Sequence, residues 1–179
     1  MGGRRRRPSL PPRSAALSAA ASRARSLRGF AILLGTAAAV FTLDHLTKWL
    51  VSQTLPLGGQ VWRGAPVSIT HVVNRGAAFG LFPQFQWLYL IVAAIVVAYI
   101  LFAGHRFGTT WYRRVLLGLI LGGAVSNGVD RLLQGYVVDF IDLHWWPVFN
   151  VADSAIVIGI LLTVLAMGRR PVAPPAAAS

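Results

Sequence analysis

Four blocks of apolar residues divide the chain, and more polar segments separate them. The blocks cover residues 29–51, 86–104, 115–133 and 149–168. A helix that crosses the hydrocarbon core of a bilayer needs about 20 mostly apolar residues, and each block is near that length. Hydrophobic residues make up 55% of the 179 residues, which is high for a soluble domain of this size. The pattern therefore predicts four transmembrane helices.

The segments between the blocks carry shorter structural signals. Residues 55–59 have the composition of a turn, and residues 66–73 are rich in β-branched side chains that alternate loosely with others. This alternation predicts a strand. Gly135 is expected to end the third helix, and residues 136–142 have an extended pattern. The expected architecture is an all-α membrane protein with a little strand structure outside the bundle.

Small residues recur on one face of the third block. Gly118, Gly122 and Ser126 are spaced four residues apart, so they lie on one stripe of a helix. Small side chains let two helices approach closely inside a membrane. We therefore expect this stripe to face a neighbouring helix.

The distribution of arginine predicts the orientation of the chain in a membrane. Thirteen arginines lie before the first block, between the second and third blocks, or after the fourth. Cytoplasmic loops of membrane proteins are enriched in arginine and lysine. We therefore expect both termini to be cytoplasmic and residues 52–85 and 134–148 to lie outside. The net charge of +12 follows this topology, so it does not indicate nucleic-acid binding.

Both ends of the chain are polar. Residues 1–28 are rich in arginine, alanine, serine and proline, and we expect a disordered tail that contacts anionic lipid headgroups. Residues 169–179 form a second cytoplasmic tail. A basic start before an apolar block also occurs in cleavable signal peptides. The first block is too long for a signal-peptide core and contains Asp44 and Lys48, so we interpret it as a transmembrane helix.

The acidic residues are few and lie in unusual places. The chain has five aspartates and no glutamate. One lies inside the first apolar block, and the other four fall within residues 130–153, from the end of the third block to the start of the fourth. Carboxylates beside or within hydrocarbon cost several kcal/mol unless they are paired or protonated. Their placement therefore points to chemistry at Asp44, Asp130, Asp139, Asp142 and Asp153.

A pair of carboxylates is the best available catalytic unit in this chain. There is no cysteine, and the four histidines show no ligand spacing, so we expect no thiol nucleophile, metal site or other cofactor. Two nearby carboxylates share one proton, which supplies a base and an acid at the same pH. Such a pair can activate water and protonate a leaving nitrogen.

Asp153 is the first candidate for this pair. It opens the fourth block and follows Asn150 by three residues, so the amide and the carboxyl lie on one helical face. The alternative is structural: the four acids between residues 130 and 153 would cap helices or pair with arginines.

The residues alone leave the partner of Asp153 open. Asp139 lies in an extended apolar run, on a face that we expect to point inward, where a structural role explains a carboxyl poorly. Asp130 stands beside Arg131 and three residues after Asn127, which favours a compensated structural carboxylate. Asp142 falls on the opposite face of the extended run, near the expected water boundary.

Two further pairs of polar residues have a structural and a functional interpretation. Asp44 and Lys48 are four residues apart on one helix face, which favours a neutralised ion pair that anchors the first helix. Lys48 is also four residues from Ser52, the arrangement of a lysine-activated serine, but Asp44 would keep the lysine protonated. The Asn74-x-Gly76 sequence indicates either an ordinary turn or an amide that binds a substrate main chain.

Five fragments in this order resemble the lipoprotein signal peptidase family, also called type II signal peptidases. The resemblance covers about residues 29–168, and the order and spacing of the fragments agree with the predicted helices. The fragments are Asp44-x-x-x-Lys48, residues 74–80 (Asn-Arg-Gly-Ala-Ala-Phe-Gly), residues 122–131 (Gly-Gly-Ala-x-x-Asn-x-x-Asp-Arg), residues 137–140 (Val-Val-Asp-Phe) and residues 149–153 (Phe-Asn-Val-Ala-Asp).

The resemblance implies an aspartic endopeptidase of the bacterial cytoplasmic membrane. It would remove signal peptides from prolipoproteins by cutting just before the cysteine that carries diacylglycerol. The family's dyad corresponds to Asp139 and Asp153, which leaves Asp130 in a supporting role with Arg131. The residues that match positions supporting the site or holding substrate are Asp44, Lys48, Asn74, Gly76, Asn127, Asp130, Arg131, Asn150 and Ala152.

The resemblance also implies a small extracytoplasmic β-subdomain at about residues 52–85 and an active site on the extracytoplasmic side. The expected partners are the diacylglyceryl-prolipoprotein and membrane lipids, and we expect a monomer. Two other classes of function are compatible with carboxylates in a membrane. One is a subunit of a proton-coupled transporter, and the other is a scaffold whose aspartates only cap helices.

Overall fold

Four helices and three strands make up the structure, a computed structural model that describes residues 13–76, 86–107 and 110–168. Each of the four predicted apolar blocks corresponds to a helix, so the prediction of a mostly helical protein is confirmed. The expectations for residues 1–12, 77–85 and 169–179 fall outside the described residues. In chain order the elements are α1 (Arg13–Thr54), β1 (Gln60–Val61), β2 (Ser68–Asn74), α2 (Gln86–Phe107), α3 (Trp111–Gln134), β3 (Val137–Asp142) and α4 (Val151–Gly168).

The first helix begins earlier than the sequence predicts. Residues 13–28, which we expected to be disordered, form the first turns of α1. This segment is rich in alanine, arginine, leucine and serine, and it contains no proline or glycine before Gly29. Because alanine, leucine and arginine have high helix propensities, the helix extends without packing against other elements. The other predicted boundaries differ from the observed ones by at most four residues.

Helix α3 lies at the centre of the bundle and packs against the other three helices. The predicted stripe of small residues is confirmed as a contact surface for α1. A Cβ atom on Gly118 would lie 2.6 Å from Cβ of Thr36, and one on Gly122 would lie 2.6 Å from the carbonyl oxygen of Ala37. Gly123 makes an equally close approach to Ala152 at the start of α4. These glycines set the short distances at which α1 and α4 dock on α3.

The outer faces of the helices expose large apolar side chains. The buried core is small and lies where α1, α2 and α3 meet. Two helical segments are long and apolar enough to cross a membrane by length and composition, Leu17–Thr54 and Trp111–Gln134. The apolar parts of α2 and α4 are shorter, Trp87–Phe102 and Val151–Ala166. The core residues are Leu33, Ala37, Ile100, Leu117 and Leu121.

The three strands form one antiparallel sheet in the order β1-β2-β3. The predicted strand at 66–73 appears as β2, and the extended run at 136–142 appears as β3. The β-subdomain expected at residues 52–85 is therefore incomplete by itself, since β3 comes from between α3 and α4. The register places Asp139 opposite Val72 and Val137 opposite Asn74. The sheet thus brings Asp139 close to the end of β2.

A tight reversal positions β3 against the start of α4. Gly135 ends α3 as predicted, with a positive φ of 77° and its N–H bonded to the carbonyl of Arg131. After β3 the chain folds back, and Phe149 pairs with Ile141 as an isolated bridge. This return places Asn150, the residue before α4, beside the middle of β3.

Candidate active site

The first turn of α4 holds Asp153 in a reciprocal capping arrangement. Oδ1 of Asn150 accepts the backbone N–H of Asp153 at 2.9 Å. The carboxyl of Asp153 in turn accepts the backbone N–H of Asn150 at 3.3 Å. Both N–H groups belong to a helix start that has no intrahelical partners for them. The predicted contact between these two residues is present, and it ties the Asp153 carboxyl to the helix end.

Asp139 on β3 is held by two side-chain amides. Nδ2 of Asn150 donates to Oδ1 of Asp139 at 2.7 Å, and Nδ2 of Asn74 donates to Oδ2 at 2.9 Å. The carboxyl is buried, with 2% of the residue exposed. Val138 and Phe140 are buried as well, so β3 is covered on both faces rather than alternating between inside and outside. The expectation of an inward-facing Asp139 is confirmed.

Asn74 forms the turn that was one of the two interpretations of its sequence. Its Oδ1 accepts the backbone N–H of Gly76 at 2.9 Å, which is a turn at the end of β2. In the same turn Nδ2 donates to Asp139. The Asn74-x-Gly76 sequence therefore forms an ordinary turn that also places an amide donor on a carboxyl of the site.

Asn127 on α3 joins the two halves of the site. Its Nδ2 donates to Oδ1 of Asp153 at 2.8 Å, and its Oδ1 accepts Nδ2 of Asn150 at 3.2 Å. All four carboxyl oxygens of Asp139 and Asp153 thus accept a hydrogen bond from an asparagine. Each donor favours the ionised form of its carboxyl and fixes the direction of the lone pairs that remain.

The environment favours a proton on Asp139. Burial is the largest cause, and the neighbouring charge of Asp153 adds to it; together they raise the pKa of Asp139 to about 7. The hydrogen bonds from Asn74 and Asn150 and the charge of Lys48 act in the opposite direction. At neutral pH this carboxyl is therefore poised between its acid and base forms, which is the condition for proton transfer in catalysis.

Behind the site, Lys48 of α1 is surrounded by acceptors. Its Nζ lies 2.5 Å from Oδ2 of Asp44, 2.6 Å from Oδ2 of Asp130 and 2.8 Å from Oδ1 of Asn127. The predicted ion pair of Asp44 and Lys48 is confirmed. Asp130 is compensated by Lys48 from α1 rather than by the adjacent Arg131. The ammonium is thus directed at these three acceptors, and no contact with Ser52 is among them.

Asp44 also binds α3 and α4. Its Oδ2 accepts the hydroxyl of Ser126 at 2.7 Å, and its Oδ1 accepts the backbone N–H of Ala152 at 2.8 Å. The carboxyl thus satisfies a free N–H at the start of α4, where negative charge is favourable. Asp44 and Ala152 are both fully buried. Asp44 therefore connects three helices directly beneath Asp153.

Arg131 lies on the other side of the site. Its Nη2 donates to the carbonyl of Gly76 at 3.3 Å, and its Cζ stands 5.2 Å from the ring centroid of Tyr89. These contacts link α3 to the end of β2 and to α2. Arg131, Asn127 and Asp153 together line a cavity of about 340 Å³ between α2, α3 and α4. Its other walls are mostly apolar.

A second apolar cavity also includes Asp153 in its lining. It has a volume of about 390 Å³ and is formed by the β3–α4 connection and α4. Asp153 therefore lines both apolar cavities. The other lining residues are Leu143, Trp145, Trp146, Phe149, Ser154, Val157 and Ile158.

Two residues of the hydrogen-bond network were given no role in the site by the sequence. His45 lies 3.4 Å from Asp130 through Nε2 and 3.0 Å from the Ser126 hydroxyl through Nδ1. Ser126 was expected only to permit close packing. The spacing of four residues between Gly122 and Ser126 could not distinguish a packing residue from a hydrogen-bond donor, since both need a small side chain.

Asp142 lies outside the network. It accepts hydrogen bonds from the hydroxyl of Thr70 at 3.1 Å and from the backbone N–H of His144 at 2.8 Å, and it remains partly exposed. Its role is to join β2, β3 and the following turn. Within the described ranges 13–76, 86–107 and 110–168, no group of three or more histidine or acidic side chains is arranged to bind a metal ion.

Comparison with known proteins identifies the family. A family model described as "Signal peptidase (SPase) II" matches residues 36–169. The chain belongs to the signal peptidase II family. Among the curated relatives, the lipoprotein signal peptidase of Syntrophomonas wolfei is 43% identical over 135 residues, which cover 73% of this chain and 91% of that protein. The lipoprotein signal peptidase of Mycobacterium avium is 43% identical over 148 residues, covering 79% and 81%.

Solved structures of bacterial membrane enzymes share the fold. One, determined by the in meso method at 2.3 Å, superposes with a TM-score of 0.71 at 28% identity and covers 79% of this chain and 93% of its own. A second, at 1.9 Å, gives a TM-score of 0.67 at 30% identity, with coverage of 75% and 91%. The match to the signal peptidase II model spans α3, β3 and α4, the elements that carry the asparagines and both carboxyls.

Proposed function

We propose that this member of the signal peptidase II family is an integral-membrane aspartic endopeptidase. Its reaction is the removal of signal peptides from diacylglyceryl-modified bacterial prolipoproteins, just before the lipidated cysteine. Asp139 and Asp153 form the catalytic dyad. The observation that carries this proposal is that one residue, Asn150, donates to Asp139 through Nδ2 and to Asp153 through its backbone N–H. Two carboxyls so held share a proton.

The dyad supports a complete hydrolysis. The ionised carboxyl takes a proton from water while the water oxygen attacks the scissile carbonyl carbon. The protonated carboxyl donates a hydrogen bond to the oxyanion that develops. When the C–N bond breaks, a proton passes to the leaving nitrogen, which becomes the new amino terminus of the lipidated cysteine. The pair ends with one proton, as it began.

The apolar surfaces fit a substrate with two apolar parts. A prolipoprotein carries a hydrophobic signal segment on one side of the scissile bond and a diacylglyceryl group on the other. Both apolar cavities include Asp153 in their lining, so both substrate parts reach the dyad from within the bilayer. Asn127, Arg131 and Asn74 supply polar groups next to these cavities for the peptide main chain.

In this proposal α1 to α4 all span the bacterial cytoplasmic membrane, with both termini in the cytoplasm. The dyad then lies at the extracytoplasmic boundary, where water has access and where the bond to be cut enters the bilayer. The sheet β1-β2-β3 forms the extracytoplasmic subdomain that shields the site. The protein acts as a monomer with the prolipoprotein and membrane lipids as partners and needs no cofactor.

Cleavage of a purified substrate tests the dyad. Wild-type protein in detergent or liposomes is incubated with a diacylglyceryl-prolipoprotein, and the released signal peptide is quantified. We expect Asp139→Asn and Asp153→Asn each to lower kcat at least about a hundredfold, since acid–base catalysis contributes that much or more.

Asp142→Asn is the matched control for this experiment. It makes the same chemical change on the same strand, but its carboxyl contacts Thr70 and His144 rather than the dyad. Its kcat should stay close to that of the wild type. Persistent cleavage in both dyad variants, with lipidated substrate required, would contradict the assignment of the catalytic pair. Loss of wild-type cleavage on adding a chelator would point to a metal instead.

A further inference from the structure

The Lys48 ammonium makes two contacts that neutralise Asp44 and Asp130, and it makes a third contact that this neutralisation does not require. Its third proton is donated to Oδ1 of Asn127, the residue whose Nδ2 binds Asp153. An ammonium group has three donors and no acceptor. Lys48 can therefore donate only to the oxygen of the Asn127 amide, so the amide nitrogen of Asn127 points away from Lys48.

The opposite orientation of the Asn127 amide is excluded by three contacts. A flipped amide would place its NH2 group against the Lys48 ammonium and also against Nδ2 of Asn150, which now donates to Oδ1. Its oxygen would meet the Asp153 carboxylate. Each contact would pair donor with donor or acceptor with acceptor, at asparagine side chains that are buried.

Three acceptors hold the Lys48 ammonium in one position. Asp44 and Asp130 approach from different helices at 2.5 and 2.6 Å, and the lysine is buried. A buried cation with three acceptors cannot rotate without leaving carboxylates unpaired, which is costly. The orientation of Asn127 is therefore fixed from α1 as well as by Asn150 and Asp153, although the described residues of α1 form no hydrogen bond or ion pair with either dyad carboxyl.

We propose that Lys48 is a positioning residue for catalysis, which acts by fixing the Asn127 amide so that its nitrogen donates to Asp153. This inference rests on the proposed dyad and adds a role for the first helix in it. The charge of Lys48 remains necessary to compensate Asp44 and Asp130, but compensation alone does not require contact with Asn127. If Lys48 only compensates charge, the effect of its substitution on kcat does not depend on Asn127. If Lys48 positions the amide, that effect is lost when Asn127 is absent.

A double-mutant cycle separates these roles. Lys48→Gln replaces the donor-only ammonium by an amide that accommodates either orientation of Asn127, and Asn127→Ala removes the group through which it would act. We expect Lys48→Gln to lower kcat about tenfold to a hundredfold, as for the loss of a hydrogen bond to a charged group. In the Asn127→Ala background it should lower kcat by less than about threefold further.

The control for folding uses the net charge of the cluster. The Lys48→Gln/Asp130→Asn double variant keeps the wild-type net charge around Asp44, because one positive and one negative group are removed together. It should unfold at nearly the wild-type temperature in detergent, bind uncleaved substrate with a similar KM, and still have a lowered kcat. Lys48→Arg, which also only donates, should recover part of the activity that Lys48→Gln loses.

The pH profile separates the two roles when it is measured in both backgrounds. Lys48→Gln removes a positive charge that lowers the pKa of Asp139, and it also removes the contact that fixes the Asn127 donor, so the pH–kcat profile should shift to higher pH. In the Asn127→Ala background only the loss of charge remains, so the further shift should be smaller. Independent, multiplicative effects of Lys48→Gln and Asn127→Ala on kcat would overturn the inference. If instead Asp139→Asn and Asp153→Asn cleave normally, it is the proposed dyad that fails, whatever the cycle shows.

Discussion

Asn150 contacts the two aspartates of the site with three different atoms, two of which bind the carboxyls. Its backbone N–H and Oδ1 complete the cap with Asp153, and its Nδ2 binds Asp139. It is completely buried, so water cannot replace these bonds if the side chain is removed. A single side chain thus combines a stabilising role at the start of α4 with a positioning role in the site.

Two substitutions of Asn150 separate these roles. Asn150→Ala and Asn150→Ser both remove the donor to Asp139, so both should lower kcat in the cleavage assay. Serine remains a good helix cap, whereas alanine is not, so only Asn150→Ala should lose about 1 kcal/mol of unfolding free energy from capping. Equal stability of the two variants in thermal unfolding would contradict the capping role.

The pKa of Asp139 predicts the pH dependence of the reaction. The pKa is raised from 3.8 to about 7, because burial and the charge of Asp153 disfavour the ionised form. A dyad that must hold one proton loses activity when that proton leaves, so kcat should fall as the pH rises above about 7. The profile reports the pair as a unit and is measured by signal-peptide release between pH 5 and 9.

The raised pKa of Asp139 also makes the free energy of unfolding depend on pH. An ordinary ion-paired carboxylate has a lowered pKa and stabilises the fold at high pH, whereas Asp139 does the opposite. Between pH 3.8 and about 7 the folded chain holds a proton on Asp139 that the unfolded chain has lost. Stability from this group is therefore greatest at low pH and decreases as the pH rises through that range. Asp139→Asn, which cannot ionise, should unfold with a weaker dependence on pH. An unchanged dependence would contradict the raised pKa.

At the level of elements, the glycines of α3 determine where the neighbouring helices dock. A Cβ atom on Gly122 would lie 2.6 Å from the carbonyl oxygen of Ala37 and 2.8 Å from Cβ of Val40. Backbone atoms cannot move away as flexible side chains do, so α1 would have to shift. Because Lys48 reaches the site from α1, such a shift would also disturb the hydrogen bonds behind Asp153.

Substitution of this glycine should destabilise the bundle. We expect Gly122→Ala to cost about 1–3 kcal/mol of unfolding free energy from overpacking. Gly35→Ala on α1 is the matched control, because nothing beyond its own stretch of helix lies within 4 Å of its added methyl group. The control should be neutral or gain up to about 1 kcal/mol from helix propensity. Thermal unfolding in detergent measures both, and equal stability of the variants would argue against close docking.

At the level of the whole molecule, the arrangement of arginines predicts which ends of the helices face the cytoplasm. The chain has no cysteine, so single cysteines can be placed without removing native ones. Leu57, between α1 and the sheet, is 68% exposed, and Leu27, in the first turns of α1, is 63% exposed. These two positions lie on opposite sides of the membrane in the proposed topology.

Labelling in intact spheroplasts tests this topology. A membrane-impermeant maleimide should label Leu57→Cys in intact cells and Leu27→Cys only after lysis. Both variants should retain cleavage activity, which shows that the labelled protein is folded. Labelling of Leu27→Cys in intact spheroplasts would reverse the orientation and place the dyad on the cytoplasmic side.

The local sequence was sufficient for the features that depend on nearest neighbours. Apolar runs of near-bilayer length located four helices, Gly135 located the end of α3, and the i, i+4 spacing located the pair of Asp44 and Lys48. Asn150 and Asp153 likewise fall within one helical turn. Each of these features is decided by the period of the helix or by backbone conformation, and both are readable along the chain.

Tertiary structure decided which distant groups meet. From spacing alone, Asp130, Asp139 and Asp142 were all possible partners for Asp153, and the family resemblance was needed to prefer Asp139. The contacts that support the proposed pair are tertiary, since Asp130 pairs with Lys48 of α1 while Asp139 is brought to Asn150 by the antiparallel return from β3. Helix docking and strand register set contacts across tens of residues, and no local period encodes them.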